Sequence, residues 1–163
     1  MRISAQKLPW LISLLLTVLL LAPLATQADE LTSHWELRDG SGGRWGLVVF
    51  EQPDPAYPSG WRLRLMSRNP ELKLDHVRSL QLDDSMGGQW QMANRSEELV
   101  PKGDMELPDQ AAQFDVADLW PRPQEGLPLR LLIPLMGPGD PASEALSLVL
   151  GPEPVTALHE IPE

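Results

Sequence analysis

His34-Trp35-Glu36-Leu37-Arg38, then Asp39-Gly40-Ser41-Gly42-Gly43, then Arg44-Trp45-Gly46-Leu47-Val48-Val49-Phe50-Glu51, is the stretch that decides the fold. Trp35 and Leu37 alternate with charged residues over 34–38, and Trp45, Leu47 and Val49 share one face over 44–51. A period of two is the pattern of a strand with one face buried. The intervening segment supplies glycines for the positive-φ positions of a hairpin loop and an aspartate able to bond its own backbone. The stretch therefore reads as an antiparallel β-hairpin.

Downstream, the same period recurs between turn signals. Residues 52–60 carry Pro53, Pro55 and Pro58 and cannot form a strand interior, because proline lacks the donor that a ladder needs. Trp61, Leu63 and Leu65 alternate with Arg62 and Arg64, which predicts a third strand with an apolar face and a solvated basic face, ended by Asn69-Pro70. A second hairpin is expected from strands over 77–82 (Leu80 and Leu82 inward) and 89–92 (Trp90 and Met92 inward), around Asp83-Asp84-Ser85-Met86-Gly87-Gly88. Residues 94–110 are polar, acidic and interrupted by Pro101, Gly103 and Pro108, forming the longest expected loop and a place for function.

In 114–120, Val116, Leu119 and Trp120 suit one or two helical turns, with Asp115 placed to cap them and Pro121 and Pro123 to end them. The clearest alternation is Leu127, Leu129, Leu131, Ile133 and Leu135. A turn over 137–141, a strand with Leu146, Leu148 and Leu150, and a last strand over 155–161 complete the chain. With 17 Pro and 12 Gly in 163 residues, long helices are excluded over most of it. The expected fold class is all-β: an antiparallel β-sandwich or small barrel of about eight strands with one short helix.

The first residues have a different character. Arg2 and Lys7 precede a nearly unbroken apolar run over 8–21, followed by Pro23 and Ala25-Thr26-Gln27-Ala28. These are the three regions of a secretory signal, with Thr26 and Ala28 as the small residues that a signal peptidase reads, and the apolar run is shorter than the ~20 residues that span a bilayer. The expected organisation is a signal peptide over 1–28 and one β-rich globular domain over 29–163, exported to the periplasm or an equivalent lumen. Residues 1–28 hold two of the 13 basic residues and none of the 23 acidic ones, so their removal takes the net charge from −10 to −12. Such a surface repels phosphate backbones, which excludes nucleic acid as a natural partner. Zero Cys removes disulfides, thiolate metal sites, thiol nucleophiles and a cysteine-linked lipid anchor.

The residues offer little catalytic chemistry. His34, His76 and His159 fall at no metal-ligand spacing, so no metal or cofactor is expected. Asp75-His76 reads as an acid/base pair only if both side chains face one way, and neighbouring residues usually point apart. No Gly-x-Ser-x-Gly elbow occurs. Asp83-Asp84 lacks the spaced ligands and closing Glu of a calcium loop and reads as a hairpin tip. The aromatic balance is unusual, with six Trp against one Tyr and two Phe. Trp35, Trp45, Trp61 and Trp90 lie on the apolar phase of their strands and are expected in the core. Trp120, between Leu119 and Pro121, is the expected exposed anchor, with Phe114 and Asp115 of the same segment as accompanying binding residues.

Leu37-Arg38-Asp39 with Gly42 and Trp45, Val48-Val49-Phe50, Leu63-Arg64-Leu65, Asp75-His76, Leu80-Gln81-Leu82, Gln113-Phe114-Asp115-Val116 and Leu127-Pro128-Leu129-Arg130-Leu131 occur in this order. Over about residues 34–161 the chain resembles a family of secreted cyanobacterial proteins whose domain has no assigned function. The resemblance implies a photosynthetic bacterial source and a periplasmic or thylakoid-lumen location, and it transfers no catalytic residue. Where the family pattern has a tyrosine, this chain has Phe114. The function expected is a non-catalytic binding, accessory or assembly module with a protein partner in a membrane-associated complex; the alternative is a small hydrolase or carbohydrate-binding domain.

Overall fold

A computed structural model describes residues 32–104, 106–137 and 145–162. The expected signal peptide over 1–28 and most of the turn over 137–141 lie outside the described residues. Among the described residues there are eight strands: β1 (Ser33–Arg38), β2 (Arg44–Glu51), β3 (Trp61–Ser67), β4 (Leu80–Asp84), β5 (Gln89–Met92), β6 (Ala111–Asp115), β7 (Leu129–Pro134) and β8 (Ala145–Leu150). One α-helix, α1 (Pro152–His159), follows them. The strands form two antiparallel four-stranded sheets, ordered β1-β2-β3-β6 and β5-β4-β7-β8. Their inner faces share one core, which makes the fold a sandwich rather than a closed barrel.

The first hairpin has the expected register, with Trp35 opposite Leu47 and Arg38 opposite Arg44. Asp39 organises its loop. Its Oδ1 accepts hydrogen bonds from the Ser41 N–H (2.9 Å), the Ser41 hydroxyl (2.6 Å) and the Gly43 N–H (2.8 Å). Its Oδ2 accepts from the indole Nε1 of Trp45 (2.9 Å), a fully buried ring. Donation by the Ser41 hydroxyl and the Trp45 indole, assisted by the Gly43 and Ser41 amides and only partly opposed by burial, lowers the Asp39 pKa to about 2. Gly42 supplies the positive φ of +88° that the turn requires.

The core takes Trp45, Leu47, Leu63, Leu65 and Phe114 from the first sheet and Leu80, Met92, Leu129, Leu131, Leu148 and Leu150 from the second, all fully buried. Each fully buried leucine of this kind stabilises the fold by roughly 2 kcal/mol relative to exposure. Trp35, Trp61 and Trp90 pack against the core's margin and remain half-buried.

The structure corrects several local expectations. The strand expected over 77–82 begins only at Leu80, and Val77 is 86% exposed because the preceding backbone bends. The alternation over 127–135 forms a strand across Leu129–Pro134, with Leu135 in an isolated antiparallel bridge to Leu74. Most of the strand expected over 155–161 is instead the helix α1: Pro152 occupies its first turn, where the missing N–H costs nothing, Val155 and Leu158 are buried three apart on it, and Ile161 is buried just past its end. Conversely, Ala111–Asp115 is a strand, where the sequence pattern places no element over 111–113 and the start of a helical turn at Phe114. β6 pairs with β3, placing Phe114 opposite Leu63 and Ala112 opposite Leu65. The helical turn is shorter than expected, a 3-10 turn over Val116–Asp118, and Asp115 caps it by accepting from the Ala117 N–H at 3.1 Å.

Candidate functional site

Trp120 is 59% exposed, and beside it opens a cleft of about 350 Å³ walled by Trp61, Val116, Ala117, Arg122, Ile161 and Pro162. Four chain segments meet there: the start of β3, the 3-10 turn after β6, the proline-flanked segment 119–123, and the residues after α1. The lining is mainly apolar, as binding clefts usually are. Two broader depressions, of about 590 and 570 Å³, lie on the outer face of the second sheet and share Gln81, Gln91 and Leu132. Their polar share is larger, and Trp90, which lines the second, is half-buried.

The segment bearing Trp120 is tied down on both sides. The Trp90 indole Nε1 donates to the Pro121 carbonyl (2.7 Å), and the Ala93 N–H donates to Asp118 (2.8 Å). Arg122 Nη1 donates to the carbonyls of Val116 (3.2 Å) and Leu119 (3.1 Å), and Nη2 donates to the Pro162 carbonyl (3.3 Å). The Arg122 guanidinium lies 6.0 Å from the centroid of the Trp120 ring, at the limit of a cation–π contact. His159 Nδ1 stands 3.0 Å from the Pro123 carbonyl. The exposed ring therefore sits on a braced backbone, so little ordering entropy is lost when it is covered.

The opposite wall rests on buried charge. Arg62, expected on a solvated face, is 1% exposed. Its Nε and Nη2 form a two-pronged contact with Glu98 (2.7 and 3.0 Å), and Asp115 lies 3.6 Å from Nη1. Glu98 Oε2 also accepts from Gln52 (2.6 Å) and Gln113 (2.8 Å). Burial alone depresses the Arg62 pKa, but the Glu98 hydrogen bonds and charge outweigh it and the net direction is upward. Arg62 Nη2 also donates to the Pro58 carbonyl (2.7 Å) and Nη1 to the Trp61 carbonyl (3.2 Å). The ion pair thus holds the backbone that leads through Gly60, at φ +126°, into Trp61.

Glu98 belongs to a 3-10 turn, Ser96–Leu99, within the expected loop. The Tyr57 hydroxyl donates to the carbonyls of Glu97 (3.1 Å) and Val100 (2.8 Å), which holds the 52–60 loop to that turn. Sequence reading missed Glu98 and Gln113 because nothing local marks a carboxylate or amide in a polar segment as buried. A usable signal was the pairing of two arginines on one strand face with an acidic stretch elsewhere in the chain.

The sequence candidates separate in space. Trp120 lines the cleft. Asp115 caps the turn that forms one wall, and its Oδ2 accepts from Arg95 Nε (3.2 Å). Phe114 is fully buried between the sheets, so its ring faces the core and not the cleft. Asp75 and His76 take separate partners: Asp75 accepts from the Val77 and Arg78 N–H groups (2.7 and 2.8 Å) and from Arg78 Nε (2.9 Å), while His76 Nε2 lies 2.9 Å from the Ala111 carbonyl. Burial opposes the Asp75 charge, and the Arg78 and Val77 amides with the Arg78 guanidinium overcome it, lowering its pKa. Asp83 pairs with Arg130 (2.8 Å), whereas Asp84 accepts from the Met86 and Gly88 N–H groups (2.9 and 2.7 Å) at the hairpin tip. His34 lies on β1 and His159 on α1, with no shared partner. Among the described residues, no group of three or more His, Asp or Glu is placed to hold a metal ion.

A family model described as a protein of unknown function (DUF3122) matches residues 25–143. No curated protein and no solved structure matches the chain.

Proposed function

The chain belongs to the DUF3122 family, described as proteins of unknown function, and on that premise we propose that it is a non-catalytic, exported module that binds a protein partner through the cleft around Trp120. The observation that carries the reading is a large aromatic ring, 59% exposed, beside an apolar cleft and on a segment braced by Trp90, Arg122 and Asp118. Exposed rings on rigid backbone beside a pocket have the chemistry of interface hot spots. The cleft suits one apolar side chain of a partner. A sugar needs several polar groups aimed at its hydroxyls, and here the lining's one charged head, Arg122, is turned to backbone carbonyls.

Export to the periplasm or thylakoid lumen is supported by the pattern over 1–28 and by the likeness to secreted cyanobacterial proteins. A role as an accessory or assembly factor for a membrane-associated complex follows from that address and from a binding surface without reactive groups. Most of the titratable side chains considered for catalysis are engaged in turns or ion pairs of their own.

The test is comparative capture. Tagged protein and its Trp120→Ala variant are exposed to solubilised membranes and extracytoplasmic extract of the source cell, and the retained proteins are identified and counted by mass spectrometry. Removing a hot-spot Trp costs about 2 kcal/mol or more of binding, on the order of thirtyfold in affinity. A partner held in near-stoichiometric amount by the parent and lost by the variant, at equal melting temperature, is the expected result. A partner held equally by both removes the cleft from the account.

A further inference from the structure

β1 is an edge strand, and its outer face carries an arrangement of charge that the fold alone does not explain. Trp35 and Leu37 face the core, so His34, Glu36 and Arg38 face outward. Arg38 stands directly opposite Arg44, and the Arg68 N–H donates to the Arg44 carbonyl (2.9 Å), which continues the same row onto the end of β3. Three arginines thus lie side by side across three strands. Like charges directly opposite each other in a sheet are destabilising.

One carboxylate serves the row. Glu36 sits 3.0 Å from Arg68 Nη2 and 3.6 Å from Arg44 Nη2, and the Arg68 hydrogen bond, opposed by burial and aided by both positive charges, lowers its pKa. Gly46 lies between Glu36 and Met66 in the register, and a Cβ there would crowd Met66 Cε at 3.1 Å. Arg38, at the free edge, has no carboxylate partner among the described residues. On a chain of net charge −10 this is a concentrated island of positive charge, and it is exposed: the Arg44 and Arg68 side chains keep 63% and 54% of their surface.

We infer that β1 is a docking edge for an extended segment of a partner protein, added as a further strand, whose outward residues set a carboxylate opposite Arg38 and a basic side chain opposite Glu36. Three observations select that occupant. The β1 edge is open among the described residues, whereas the β6 edge is covered by hydrogen bonds from Arg95 N–H to the Gln113 carbonyl and from Asp115 N–H to the Ala93 carbonyl. A carboxylate on an added strand opposite Arg38 becomes the fourth member of the row, about 5 Å from Arg38 between Cβ atoms. On the other face, Trp35 and Leu37 are only half-buried, so apolar residues alternating with the charged ones cover them. A second copy of this chain is disfavoured by the repulsion of two strongly acidic bodies.

The probe is a blocked peptide of repeating Glu-Val-Lys-Val, titrated into the purified protein while backbone amide and arginine Nε signals are followed by NMR. Shifts confined to Ser33–Arg38 and the arginine row are expected at about 0.05 M salt, weakening strongly at about 0.5 M. Arg38→Ser should weaken binding about tenfold, Arg38→Lys less, and both should melt with the parent because Arg38 is an exposed edge residue. Trp120→Ala should bind the peptide unchanged, which separates this edge from the cleft. Equal binding of a Lys–Val peptide, or displacement by an equal concentration of inorganic phosphate, overturns the inference. So does binding to phosphatidylglycerol vesicles without peptide binding, or a concentration-dependent dimer abolished by Arg38→Ser.

Discussion

Glu98→Ala is expected to lower the unfolding free energy by about 3–5 kcal/mol, the loss typical of breaking a buried ion pair from one side. Glu98 is 1% exposed in its side chain and accepts from Arg62, Gln52 and Gln113. Its removal leaves a buried guanidinium bonded to the Pro58 and Trp61 carbonyls, with the more distant Asp115, at 3.6 Å, as the carboxylate beside it. Urea unfolding measures the loss. The decisive comparison is the double variant Arg62→Met with Glu98→Leu, which removes both charges and should recover most of the stability. If the single variant costs under about 1 kcal/mol, water already reaches the pair and the network does not brace the cleft. The same variants should disturb Trp61, because Arg62 holds the carbonyls on both sides of Gly60.

Asp39→Ala should cost about 2–4 kcal/mol, since it strips the turn of three acceptor bonds and leaves the buried Trp45 indole N–H without its partner. It also carries a pH signature. The folded-state pKa is about 2 against an ordinary value of 3.8, so the unfolded chain binds this proton first as pH falls. The stability contributed by Asp39 is present in full above the ordinary value and is lost as pH drops through it toward 2. Stability measured from pH 5 down to 2 should therefore fall more steeply in the parent than in Asp39→Asn. Parallel curves would show that Asp39 titrates alike in both states.

The two sites differ in how visible they are from the chain. Asp39 and Trp45 are six residues apart within one hairpin, and the turn glycines between them announce the loop. Arg62 and Glu98 are separated by 36 residues, and each segment alone reads as solvated. The cleft is the same case: Trp120 is recognisable as an exposed aromatic just before helix-breaking prolines, but Trp61 and Ile161 join it only because β3 and the residues after α1 converge. Gln113 hides a strand, since a buried amide breaks the apolar–polar contrast on which alternation depends. The 155–161 segment fits a period of two and a spacing of three at its buried positions, and Pro152 and Pro154 were the residues that favoured a helix start.

What the chain determines by itself is therefore what short-range forces determine: strands from side-chain alternation, hairpins from glycine and aspartate turn chemistry, an all-β class from frequent prolines, and a strongly acidic charge. Tertiary structure alone decided that two separate sheets form, that Arg62 is buried on Glu98, that Phe114 packs in the core, and that Trp120 shares a cleft with Trp61 and Ile161. The reason is physical. Periodicity records which way a side chain points from its own strand, whereas burial and partnership depend on which distant segment is laid against it.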